Sequence, residues 1–170
     1  MRTKQDTKQD TKQARARDRD GIASPMMRAL HEAEKAAHAG EVPVGAVLVV
    51  AGRGGILASA HNQVIAPPDP TGHAEILALR AAATLRGDPR LPDCDLYVTL
   101  EPCAMCATAI AFARIRRLYF GAYDPKGGGV EHGARVFDRA TCHHRPEIIG
   151  GLEEAACAAL LQRFFQERRG

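Results

Sequence analysis

Residues 95–123 hold the pattern that most restricts the fold. Residues 95–100 alternate as a strand does, Pro102 opens a helix over residues 103–113, and residues 118–123 read as a second strand. Two strands separated by a whole helix cannot close as a hairpin, so they are expected to lie parallel with a right-handed crossover. The remaining elements extend this unit. Ser24 and Pro25 cap and open a first helix that Gly40 stops. Valine-rich residues 42–50 and residues 56–61 flank a glycine loop and read as an antiparallel pair. Thr71 is placed to cap a helix over residues 73–85, ended by Gly87, and a short strand at 147–149 precedes a C-terminal helix at 152–169. The class is α/β.

Residues 1–21 differ in kind: a TKQD repeat and alternating charges leave nothing to bury, so they are expected to form a disordered charged tail. Residues 22–170 then form a single domain. The tail also explains the net charge of +3, because residues 1–20 carry seven Lys/Arg against four Asp and the remainder is balanced. Bulk electrostatics therefore give no argument for a nucleic-acid partner. The longest apolar stretch, residues 42–51, contains Pro43 and Gly45 and falls far short of the roughly 20 residues of a membrane span. With no apolar leader either, a cytoplasmic location is expected. Five cysteines, an odd number, two of them three apart, argue against a disulfide framework.

Two motifs carry chemistry: His73-Ala74-Glu75 at the start of one helix and Pro102-Cys103-Ala104-Met105-Cys106 at the start of the next. A Cys-x-x-Cys pair at a helix N-terminus is favoured as thiolate, and its spacing lets both sulfurs reach one ion. Two thiolates and the His73 imidazole suit zinc, with a fourth tetrahedral position open to water, as in catalytic sites. Glu75 lies about 200° around an ideal helix from His73. It reaches the same site only if the helix end points inward, where it can shuttle a proton as general acid and base. A redox dithiol would need neither His73 nor Glu75. A structural zinc site would need a fourth ligand, for which Cys94, Cys142, His143 and His144 are the candidates.

These motifs, with His61 to Ile65, Asp69 to Glu75, Leu96 to Cys106, Phe120 to Lys126 and Arg163 to Arg169, resemble the zinc-dependent nucleobase deaminases, and among them the bacterial enzymes that act on tRNA. The resemblance implies a cytidine-deaminase-like three-layer fold: a mixed central sheet of about five strands with helices on both faces. It implies one zinc per chain on His73, Cys103 and Cys106, Glu75 as the proton shuttle, and conversion of the wobble adenosine of a tRNA anticodon stem-loop to inosine. It also implies a homodimer whose subunits both touch the RNA.

Asn62 resembles the base-contacting asparagine; an amide can donate and accept together, as a purine edge requires, or can simply hold its own turn. Asp124 resembles a position beside the RNA ribose and backbone, and is equally a turn aspartate. Phe165, with Arg163, Arg168 and Arg169, offers a ring and guanidinium groups to unstacked bases, or merely docks and solvates the last helix. Arg114, Arg116 and Arg117 form a second basic cluster, either a solvated helix exit or a phosphate contact. Two further functions stay open at this stage: a deaminase of free guanine or cytosine, and a zinc-stabilised RNA-binding module without turnover. Apolar residues around most of helix 103–113 exceed what one sheet face covers, a surplus that a subunit interface or another helix of the same chain would bury equally well.

Overall fold

The computed structural model describes residues 24–53 and 55–170; the charged tail expected at residues 1–21 lies outside them. Helix α1 (Pro25–His38) begins where the Ser24 hydroxyl accepts the Met27 N–H at 3.3 Å. Strands β1 (Gly45–Val50) and β2 (Ile56–His61) pair antiparallel, as expected. β1 starts later than the valine-rich run does, because Pro43 has no N–H for a ladder and Val44 donates instead to the Val42 carbonyl at 2.8 Å. There follow α2 (Ala74–Arg86), β3 (Cys94–Leu100), α3 (Ala104–Phe112), β4 (Arg117–Ala122), a 3-10 turn (Val136–Asp138), β5 (Glu147–Ile149) and α4 (Glu154–Arg169). The 3-10 turn has no counterpart in the sequence reading.

The five strands lie in the order β2-β1-β3-β4-β5, with β1 antiparallel to both neighbours and β3, β4 and β5 parallel. Side chains alternate between the two faces. Leu48, Leu96, Val98 and Phe120 pack with Leu79 of α2 and Ile110 of α3. Val47, Val49, Tyr97 and Tyr119 pack on the other face with Met26 and Leu30 of α1 and Leu160 of α4. The result is the expected three-layer sandwich, and each large side chain buried in it contributes about 1.5–3 kcal/mol. Gly45 shows how closely the layers approach: a Cβ there would lie 1.9 Å from the Ala29 carbonyl oxygen on α1.

Strand direction positions the site. β2 and β3 are both antiparallel to β1, so both run the same way and end at the same edge of the sheet. α2 follows β2 and α3 follows β3 on the same face, so their N-termini meet at that edge.

Candidate active site

His73 and Cys103 occupy the same structural position. Each is the extended N-cap of its helix, and neither side chain caps its own helix. The 200° separation expected between His73 and Glu75 therefore does not apply, because His73 is outside the helix and Glu75 is in its first turn. Both turn into a pocket of about 400 Å³ that His73, Glu75 and Cys103 line together with Asn62 and Asp124. Cys106, fully buried, stands behind it.

The Nδ1 atom of His73 lies 3.6 Å from Cys103 Sγ and 3.5 Å from Cys106 Sγ, and the donor atoms of all three residues fall within 4.8 Å of one another. Tetrahedral zinc, with bonds of about 2.3 Å to sulfur and about 2.0–2.1 Å to nitrogen, separates those two donors by roughly 3.6 Å. The donor set fits zinc in both chemistry and spacing. Among the described residues no fourth His, Cys, Asp or Glu joins the group. Three of the four candidates for a structural fourth ligand are engaged elsewhere: Cys142 donates to the His144 carbonyl, His144 Nε2 bonds the Ile115 carbonyl, and Cys94 sits with Asp93 and Arg86; the fourth, His143, lines a separate pocket with Cys142 and His144.

The electrostatics suit the same chemistry. A hydrogen bond from Cys106, reinforced by His73, draws the Cys103 thiol down to about 4, while that bond and burial push Cys106 up. The bond to Cys103 raises the His73 imidazole. Glu75 is only 4% exposed, and burial, with the Cys103 charge adding to it, raises its carboxyl to about 7. A carboxyl poised there can both take and give a proton near neutral pH.

Asn62 does not present both halves of its amide to the pocket. Its Oδ1 accepts the Ala74 N–H at 2.9 Å and so satisfies the first amide of α2, the task expected of Thr71. Thr71 instead donates its hydroxyl to Asp69 at 2.7 Å. What Asn62 retains for a ligand is its NH2 group, a donor. Asp124 builds its own turn, its Oδ1 accepting the Lys126 and Gly127 N–H groups, while still lining the pocket. Phe165 is 42% exposed and lies outside the pocket lining. The residue that α4 contributes to that lining is Arg168, stacked over the Phe164 ring at 4.6 Å and donating to the Gly40 carbonyl at 2.5 Å. Of the second basic cluster, Arg116 and Arg117 are paired with Asp95 and Glu147, while Arg114 stands at the exit of α3 with a φ of 59°.

Two buried carboxylates that line the pocket were not singled out from the sequence. Glu41 accepts the Val64 and Ile65 N–H groups at 3.0 and 2.7 Å, on one wall of the pocket. Glu101, which also lines the pocket, accepts the N–H groups of Asp124 and of Val130 to His132. Burial works against the charge of each, yet these backbone donors hold both carboxyls below the usual range. The available signal was an acidic residue beside an apolar run, Glu41 before Val42 and Glu101 after Leu100.

Comparison with known proteins agrees with the geometry. Residues 22–122 match the family described as cytidine and deoxycytidylate deaminase zinc-binding region. A tRNA-specific adenosine deaminase of Agrobacterium fabrum is 54% identical over 144 residues, 85% of this chain and 93% of that protein. A solved structure from a study of A-to-I editing by tRNA:A34 deaminases superposes with a TM-score of 0.77 at 54% identity, covering 80% of this chain and 98% of its own. A guanine deaminase from Nitrosomonas europaea shares the fold at 23% identity and a TM-score of 0.72, over 83% of this chain and 82% of its own. The chain belongs to the zinc-dependent cytidine and deoxycytidylate deaminase family and, within it, to the tRNA-specific adenosine deaminases.

Proposed function

We propose that the protein hydrolyses the wobble adenosine of a tRNA anticodon loop to inosine and releases ammonia. The observation that carries the hydrolytic deamination is the buried Glu75 carboxylate beside a three-donor zinc set at one open pocket, and the 54% identity to a tRNA-specific adenosine deaminase supports the substrate. His73, Cys103 and Cys106 would hold one zinc per chain; when bound, zinc makes water nucleophilic near neutral pH. Glu75 takes the proton of the attacking water and delivers it to the departing amino nitrogen, so that C6 exchanges its amino group for oxygen. The NH2 of Asn62 donates to an acceptor on the base edge, and the Oδ1 bond to Ala74 N–H fixes its direction.

A base can occupy this pocket only once it leaves the stack, which a loop allows at small cost and a duplex resists. Asp124 and Arg168 at the rim are suited to the ribose and phosphates of the flanking nucleotides, and exposed Phe165 to stacking with a neighbouring base. The domain is residues 22–170, with residues 1–21 as an extension. A second copy of the chain as partner is supported by α3, whose outer stripe Ala104, Thr108 and Phe112 carries no charge and leaves Phe112 73% exposed. A tRNA substrate fits a cytoplasmic enzyme, and no helix among the described residues is long and apolar enough to cross a membrane.

The test is mass balance on an anticodon stem-loop with adenosine at the wobble position. One inosine and one ammonia per turnover are expected. Binding of the stem-loop with neither product would identify a zinc-stabilised RNA-binding module instead.

A further inference from the structure

The chemistry above uses Glu75 and leaves a more deeply buried carboxylate without a task. Glu101 is 2% exposed and stands two residues before Cys103. Its Oε1 accepts the N–H groups of Val130, Glu131 and His132 at 3.3, 2.8 and 2.9 Å. Its Oε2 accepts the Asp124 N–H at 3.0 Å and pairs with His132 Nδ1 at 2.8 Å. One side chain thus holds both ends of the 124–132 loop, a segment without helix or strand.

The backbone is built for that approach. A Cβ at Gly128 would lie 2.6 Å from Glu101 Oε1, and one at Gly129 would lie 2.5 Å from the Ala104 nitrogen. Gly129 also donates its N–H to the Pro102 carbonyl at 2.8 Å. The loop is therefore pressed onto the cysteine turn itself, with Cys103 on one side of the contact and Asp124 and Gly127 at the pocket rim on the other.

We propose that Glu101 is a positioning residue: it sets the 124–132 loop in register with the cysteine turn, so that Asp124 meets the RNA at a fixed distance from the Glu75 carboxylate. The proposal rests on the reading that the substrate is RNA. Glu101 lines the pocket, but its carboxylate oxygens are taken up by the loop amides and by His132. It acts through the amides that it holds, and its effect falls on substrate binding.

Glu101→Gln separates this role from a general contribution to folding. Glutamine brings one acceptor and one donor. With its oxygen on the amides of residues 130–132, its NH2 group faces the Asp124 N–H, and two donors meet. In the zinc-loaded full chain, zinc should stay at one per chain and the amide of Asp124 should exchange faster. KM for the anticodon stem-loop should rise at least about tenfold, as expected when a charge-assisted hydrogen bond is lost, with kcat changed less than about threefold. An unchanged KM with kcat falling in step with the folded fraction, or Asp124 exchange equal to wild type, overturns the proposal. Should this variant not fold, Glu101→Asp, which keeps the charge but draws the carboxylate back from the amides by one methylene, decides by the same KM and exchange readouts. If wild-type protein forms no inosine in the stem-loop, the RNA reading falls, and Asp124 exchange alone then decides whether Glu101 sets the loop.

Discussion

His73 and Cys103 act alike because each is the last extended residue before a helix. That position frees the side chain from the helix surface and aims it along the axis, where helix N-termini favour negative charge. Glu75, one step inside α2, is aimed the same way and loses its water, which sets its carboxyl near neutrality. Glu75→Gln is therefore expected to keep the fold and one zinc per chain while lowering kcat by about 10²–10⁴-fold, the usual weight of a general acid and base. Ammonia release and elemental analysis of the same sample check it; wild-type turnover would remove Glu75 from the reaction. The ligand assignment separates as cleanly. His73→Ala and Cys103→Ala should fall well below one zinc per chain, whereas Cys142→Ala, whose thiol faces the His144 carbonyl, should keep it. These residues were legible because their partners lie within one motif or at a second helix start. Asn62 was legible only as a residue type: its role as cap of Ala74 joins positions twelve apart, and no local spacing announces it.

At the scale of elements, alternation and helix punctuation located every strand and helix from α1 to α4, β2 and β5 with their observed bounds and the others with ends displaced by at most three residues. The displacements have causes. Cys103 and His73 read as helical in sequence and are N-caps in the fold, and Pro43 keeps residues 42–44 out of β1. The loops were far less legible, because what shapes them is long-range: Glu41 acts 23 and 24 residues away, and Glu101 acts 23 to 31 residues away. Glu41 gives a pH test. Its folded carboxyl lies below the unfolded value of about 4.3, so its contribution is fully present above that pH and is lost as pH falls through the folded value. Glu41→Gln should lower the denaturation midpoint at pH 7, by about 1–3 kcal/mol in unfolding free energy, and the gap to wild type should close as the pH drops below about 4. A gap independent of pH would mean that the charge contributes nothing. Layer packing is tested by Gly45→Ala, whose methyl meets the Ala29 carbonyl on α1; a loss of at least about 1–3 kcal/mol is expected in urea unfolding.

The whole molecule places two helix N-termini at one edge of a sheet, a consequence of β1 pairing antiparallel with both β2 and β3, and the β1–β3 pairing was not legible in the sequence. What the sequence reading could not rank was the use of the apolar surplus on α3, since burial within the chain and burial against a second copy give the same pattern. The structure buries Ile110 and leaves Phe112 in the open, so sedimentation at micromolar concentration should give a dimer, and Phe112→Asp should shift it toward monomer. A wild-type monomer would discard the second copy as partner. The choice of substrate is the central claim, because the zinc set and Glu75 would serve guanine or cytosine equally well. It is tested most directly by competition in one tube between an anticodon stem-loop and free guanine, cytosine and adenine, read as kcat/KM for each. The account expects the loop adenosine to be converted to inosine at least about 10³-fold more efficiently, since a free base gains none of the rim contacts. Equal or better turnover of free guanine or cytosine, with no inosine in the loop, would contradict it.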